Sequence, residues 1–121
     1  MLMERGTFFG YQRLVNDFVG VSDMMKHGWP VCFDVTHSTQ LPGASAGTSG
    51  ATSGASGGRT TGGRADSAPL LAKCAVVAGV QSLFLEVHPD PRNGKSDAAT
   101  MLGIEEACDL LGQLKKLRDA M

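Results

Sequence analysis

No charge of one sign dominates this sequence: 11 Lys and Arg residues stand against 12 Asp and Glu. That balance leaves no electrostatic footprint for nucleic acid or for an anionic membrane surface. Long apolar runs are absent too, and no stretch approaches the roughly 20 residues that cross a bilayer. Met1 to Gly10 carries one acid and one base and has no apolar core, so it does not read as a signal peptide. Cysteine is scarce. Cys32, Cys74 and Cys108 are odd in number, widely spaced and set among apolar neighbours. They read as reduced, buried thiols of a cytoplasmic protein, not as a disulfide framework. Without a Cys-x-x-Cys pair, a structural zinc site built on thiolates is not expected.

What is plentiful is small residues in one place. From Gly43 to Gly63 every residue is Gly, Ala, Ser or Thr except Arg59. Such a segment cannot bury enough apolar surface to offset its ordering entropy, and a flexible loop is expected there. Near-repeats (Gly47-Thr48-Ser49-Gly50, Thr52-Ser53-Gly54, Ala55-Ser56-Gly57) suggest the low-complexity expansion of a shorter loop. Within a single domain over 1–121, a loop of this length signals a functional lid or an insertion.

Around it the pattern is that of an α/β fold. Val31 to Val35 is short, apolar and β-favouring, and Trp29-Pro30 sets its start. It reads as a buried strand. Ser67 to Ala78 reads as a helix, with Asp66 or Ser67 as cap, Pro69 in the first turn and Gly79 as terminator. Ser82 to Val87 reads as a second buried strand. Ile104 to Met121 is amphipathic, with Ile104, Ala107, Cys108, Leu111, Leu114 and Leu117 on one face. Glu105 and Glu106 open it and Lys115, Lys116 and Arg118 close it, matching the helix dipole. A further helix is expected over Ser22 to Gly28, with an earlier start as the alternative. Strand, loop, helix, strand, helix implies parallel strands. Two strands apolar on both faces do not make a stable parallel sheet, so the pattern calls for partners beyond those this chain is expected to contain.

In α/β folds ligands collect at the C-terminal ends of the strands. The first strand runs into Asp34-Val35-Thr36-His37-Ser38-Thr39-Gln40 and the second into Glu86-Val87-His88-Pro89-Asp90-Pro91, followed by Lys95-Ser96-Asp97. Parallel neighbours place His37, Glu86 and Asp97 at one rim, and an imidazole with two carboxylates suits a divalent metal such as Zn, Fe or Mn. Glu86 stands out because a carboxylate that closes an apolar strand must be paired or must work. A buried ion pair at Glu86 and a loop cap at His37 would give the same pattern. Asp90 fits a turn, and His88 fits a supporting position. Arg5 beside Gly6 can clamp a phosphate or simply face solvent. Gly62, Gly63 and Arg64 ahead of a helix can form an anion site or a plain loop end.

Taken together these segments resemble the 3-deoxy-D-manno-octulosonate 8-phosphate synthase family. The matches are Glu4-Arg5-Gly6-Thr7-Phe8-Phe9-Gly10-Tyr11, Pro30 to Gln40 (PVCFDVTHSTQ), Phe84 to Pro91 (FLEVHPDP) and Lys95 to Thr100 (KSDAAT). The sister DAHP synthases share the Glu-Arg-Gly segment, the strand-end His and Glu-Val-His-Pro, but Phe9-Gly10-Tyr11 and Asp34-Val35-Thr36-His37 resemble the octulosonate branch.

The resemblance implies a transferase. It would condense phosphoenolpyruvate with arabinose 5-phosphate and release phosphate, in an enzyme of lipopolysaccharide biosynthesis. It implies a (β/α)8 TIM barrel, of which this chain would hold the end of strand 6 through strand 8 and its helix. The N-terminal half of the barrel would be the partner it lacks, and the family's homo-oligomer is a tetramer. His37, Glu86 and Asp97 take the catalytic and metal-ligand positions. Arg5, Gln40, Gly62, Gly63 and Arg64 take substrate-binding positions, with Thr61-Gly62-Gly63-Arg64 or Ser56-Gly57-Gly58-Arg59 as the end of the active-site loop. None of the three cysteines matches the family's metal Cys. A non-catalytic remnant, the sister DAHP synthase and a small binding module are the competing expectations.

Overall fold

A computed structural model describes residues 1–42 and 62–121. The expectation of a flexible loop over Gly43–Gly63 therefore falls, apart from its last two glycines, outside the described residues, as does the Ser56–Arg59 alternative.

The core is a parallel sheet of three strands in the order β1, β2, β5. β1 is Leu2–Glu4, β2 is Val31–Asp34 and β5 is Ser82–Phe84. Leu2, Met3 and Glu4 stand opposite Val31, Cys32 and Phe33, while Cys32, Phe33 and Asp34 stand opposite Ser82, Leu83 and Phe84. One neighbour of β2 that the pattern set outside the chain, β1, thus lies within it; Leu2–Glu4 is too short to read as a strand.

Helices α1 (Phe18–Lys26) and α3 (Ala68–Ala78) make the crossovers that parallel pairing requires, and α4 (Ile104–Asp119) follows β5. Asp17 caps α1 by accepting from the N–H groups of Val19 and Gly20. α3 carries Pro69 in its first turn and ends at Gly79, whose φ of 89° is a left-handed conformation that glycine adopts without strain. Ser67 occupies the α3 cap position, but its side chain makes no capping bond, because a 3-10 turn over Ala65–Ser67 leads into the helix. α1 begins earlier than Ser22 because Asp17, not a later residue, supplies the cap.

The hydrophobic core lies between the sheet and these helices. Val31, Phe33 and Val35 pack with Val21, Ala68, Ala72, Ala75, Leu110 and Leu114. The rings of Phe18 and Phe33 stack with centroids 5.5 Å apart. The buried face of α3 is small, made by Ala68, Ala72 and Ala75, while its larger Leu70 and Val77 are exposed.

Three expectations need correction. β5 is not buried: Phe84 is 38% exposed, because β5 pairs on one side only. The face of α4 is narrower than its apolar pattern. Ala107, Leu110 and Leu114 are buried, while Ile104 and Leu111 are half exposed and Cys108 is exposed. Only the stripe that meets α3 is covered, so the helix is rotated toward Leu110 and away from Leu111. The thiols differ accordingly: Cys32 is buried, Cys74 is half-buried and Cys108 faces solvent.

Candidate active site

All three parallel strands point their C-terminal ends the same way, so Glu4, Asp34 and Phe84 share one edge. The segments that leave this edge build the site. After Asp34 the chain turns at once into α2, a single helical turn over Val35–Ser38. Asp34 closes that turn with one carboxylate oxygen, which accepts the backbone N–H of His37 at 2.9 Å. Its other oxygen lies 2.7 Å from His37 Nδ1. An acceptor at Nδ1 places the ring proton there and leaves the Nε2 lone pair free, the tautomer a metal-ligating imidazole needs. Phe84 stacks on the same ring at 5.7 Å between centroids.

Nε2 of His37 faces Glu86 Oε1 at 3.7 Å. Glu86 is fixed through its backbone: its N–H donates to the buried Thr36 hydroxyl at 2.7 Å. Its other carboxylate oxygen, Oε2, is buried and has no hydrogen-bond partner among the described residues. Beyond Glu86, Val87 bridges to Leu102, and the N–H groups of His88 and Leu102 donate to Leu102 and Glu86 carbonyls. That bridge folds the 88–101 segment back over the rim. Asp97 sits in it with φ of 51°, a left-handed conformation in which Asp is among the better-tolerated residues. Its carbonyl accepts from the N–H groups of Thr100 and Met101 and from the Thr100 hydroxyl. One ligand atom from each of His37, Glu86 and Asp97 lies within 4.8 Å of the others.

Two carboxylates this close repel each other, and a buried carboxylate oxygen with no donor carries the full cost of its lost hydration. A divalent cation between the three would relieve both. The unpaired Glu86 Oε2, the free Nε2 and the mixed N,O donor set thus fit the metal suggested by the sequence.

Gln40, in β3 (Gln40–Leu41), pairs antiparallel with Gly63 in β4 (Gly62–Gly63). Its side chain donates to Asp97 Oδ1 at 2.8 Å and accepts from Arg5 Nη2 at 2.7 Å. Arg5 follows β1 and is exposed. Gly62 and Gly63 are strand residues, and the Arg64 N–H donates to the Thr39 carbonyl at 3.0 Å. The Arg64 side chain in that segment is half exposed and 3.6 Å from Asp66. Gly63 matters for space: a Cβ there would stand 2.3 Å from Thr100 Cγ2 and 2.7 Å from the Ala99 carbonyl oxygen. Because Thr100 is buried and its turn holds Asp97, Gly63→Ala is expected to cost about 1–3 kcal/mol, the usual range for overpacking, and to displace Asp97. Chemical denaturation and metal titration of the variant check this; unchanged stability and metal affinity together would show that the turn yields freely.

His88 points away from this cluster and uses Nδ1 to accept the Asp90 N–H at 3.0 Å, while Asp90 binds Asn93 at 2.8 Å. Both belong to the turn. The residues not singled out beforehand are the supports: Asp34, Thr36, and the trio of Glu4, Asn16 and Ser38, in which Asn16 Nδ2 donates to Glu4 at 3.1 Å and to Ser38 at 2.9 Å. An Asp three residues before a His at a strand end was a legible signal for the first of them. The others carry none.

A protein-family model described as the DAHP synthetase I family matches residues 1–121, and the chain belongs to that family. Among curated relatives it is similar to the 2-dehydro-3-deoxyphosphooctonate aldolase of Protochlamydia amoebophila, 42% identical over 97% of this chain and 38% of the relative. The protein of the same name from Hydrogenovibrio crunogenus is 40% identical over 100% of this chain and 39% of the relative. Among solved structures, the phospho-2-dehydro-3-deoxyheptonate aldolase (DAHP synthase) of Thermotoga maritima superposes with a TM-score of 0.72 at 30% identity, over 99% of this chain and 29% of that one. The chain thus spans about 38% of the length of the curated relatives it matches. The α/β architecture agrees with the solved DAHP synthase barrels. No helix among the described residues is long and apolar enough to cross a membrane.

Proposed function

We propose that this chain supplies the last part of a (β/α)8 barrel, with β1, β2 and β5 as the end of strand 6, strand 7 and strand 8. In the completed barrel it is a 3-deoxy-8-phosphooctulonate synthase, a transferase that joins phosphoenolpyruvate to arabinose 5-phosphate and releases phosphate. The observation that carries this reading is the convergence of His37, Glu86 and Asp97 at one rim, with Glu86 Oε2 buried and unpaired.

In this reaction C3 of phosphoenolpyruvate bonds to the aldehyde carbon, the oxygen of a water adds at C2, and phosphate leaves C2. A divalent ion held by His37 Nε2, Glu86 and Asp97 would position the water or polarise the reacting groups. Arg5 would hold the phosphate of phosphoenolpyruvate, since a guanidinium offers paired donors to phosphate oxygens. Asp34 holds the His37 ring in its metal-binding tautomer, and Thr36 holds the Glu86 backbone. The rest of the site, including the partner half of the barrel, lies outside this chain, and a homotetramer as in the family is part of the same reading.

Carbon count separates the two sister reactions. An eight-carbon octonate product requires a five-carbon acceptor, whereas the heptulosonate product named for the solved structures requires a four-carbon one. Joined to the N-terminal strands of a curated relative, this chain should release phosphate from phosphoenolpyruvate with arabinose 5-phosphate and not with a four-carbon aldose phosphate. The reverse preference would assign the sister reaction. No release with either, in a folded protein, would mark a non-catalytic remnant.

A further inference from the structure

Among the described residues, Gln40 is the side chain that hydrogen-bonds to both Arg5 and Asp97. Its carbonyl oxygen accepts from Arg5 and its amide nitrogen donates to Asp97. The two neighbours fix the amide without ambiguity: flipped, it would set an oxygen against a carboxylate and N–H groups against a guanidinium. Its backbone is held as well, paired with Gly63, which in turn abuts the Asp97–Thr100 turn. Held at both ends, the side chain ties the Arg5 guanidinium to the Asp97 carboxylate.

We infer that Gln40 is a positioning residue that couples anion binding at Arg5 to metal binding at Asp97, so that each ligand raises the affinity for the other. This deepens the reading proposed above and rests on it. An anion on Arg5 fixes the guanidinium; through the shared amide, this holds Asp97 Oδ1 in place. A cation on Asp97 does the reverse. Linkage makes the two effects equal in size.

The test uses the full chain joined to the N-terminal strands of a relative. Mn2+ affinity is read by electron paramagnetic resonance with and without phosphoenolpyruvate, and phosphoenolpyruvate affinity by calorimetry with and without Mn2+. The unaltered protein should show a reciprocal enhancement of about 5-fold or more, the lower end of ordinary coupling. Gln40→Met, of similar shape but without the amide, should bring both ratios to about one while the protein still binds each ligand. Gln40→Glu keeps an acceptor for Arg5 but cannot donate to Asp97. It should also lose the enhancement, and it should weaken Mn2+-free phosphoenolpyruvate binding by the added negative charge. It serves as the decisive variant if Gln40→Met does not fold. Enhancement that survives in the folded variant overturns the inference, as does an unaltered protein that binds both ligands independently. An unaltered protein that binds neither ligand overturns the underlying metal and anion reading as well.

Discussion

Replacing Glu86 with Gln in the completed enzyme should reduce metal affinity and turnover together by more than about 100-fold, the upper end of what loss of a mere supporting residue costs. The substitution keeps size and backbone, so the bond from Glu86 N–H to Thr36 is untouched. What changes is charge and the buried Oε2. In the acid that oxygen has no donor among the described residues, an exception to the rule that buried polar atoms are paired, which the proposed cation would explain. In Gln40's neighbourhood Asp97 would remain, so that of this chain's three candidate ligands only one carboxylate and His37 are left. Without metal the variant should melt at the same temperature as the unaltered protein or higher, because the repulsion between the two carboxylates is gone. Metal content by elemental analysis, turnover by phosphate release and the two melting curves check this. A metal-replete, active Glu86→Gln enzyme would remove Glu86 from the ligand set. A large loss of apo stability would show that the carboxylate is a structural ion-pair member instead.

The rim was legible in the sequence because it follows from strand chemistry. A polar residue at the end of an apolar run in a parallel sheet has only one place to go, and His37 and Glu86 are such residues. Asp97 could be set at the rim only as part of a polar segment following Glu86, since nothing in Lys95-Ser96-Asp97 reveals that Leu102 pairs with Val87 and folds the segment back. The elements around β2 were readable from caps and terminators, Pro69 and Gly79 above all. The first strand was not, because Leu2–Glu4 is too short to show a period. The orientation of α4 was not either. Its apolar residues cover more than one face, and which stripe is buried depends on where α3 lies, which is a tertiary fact. The role of Gly63 was invisible for the same reason: its constraint comes from Thr100, far along the chain.

The isolated 121-residue chain should aggregate or melt without a cooperative transition, and it should show no synthase turnover. The sheet supports this directly. β1 and β5 each pair on one side only among the described residues, so two strand edges present unpaired N–H and C=O groups. Beside those edges Met3 is 47% exposed, and in the loop after β1 Phe8, Phe9 and Tyr11 are 77%, 95% and 97% exposed. So many exposed large apolar side chains near one edge are normally covered by protein. Parallel strands are stable when both faces and both sides are covered, and here only β2 has that cover. Loss of activity follows independently of folding. Most of the rate in such a condensation comes from holding two substrates against one another, and a chain that spans 38% of its relatives carries only part of the surface that does so. Sedimentation, a thermal melt and a phosphate-release assay on the lone polypeptide are the measurements. Joining the N-terminal strands of a relative should then produce a sharp transition and, with metal, turnover. A monodisperse lone chain with a sharp transition would mean that the exposed edges are stable as they stand, and robust turnover by it would mean that the rim of His37, Glu86 and Asp97 is a sufficient site.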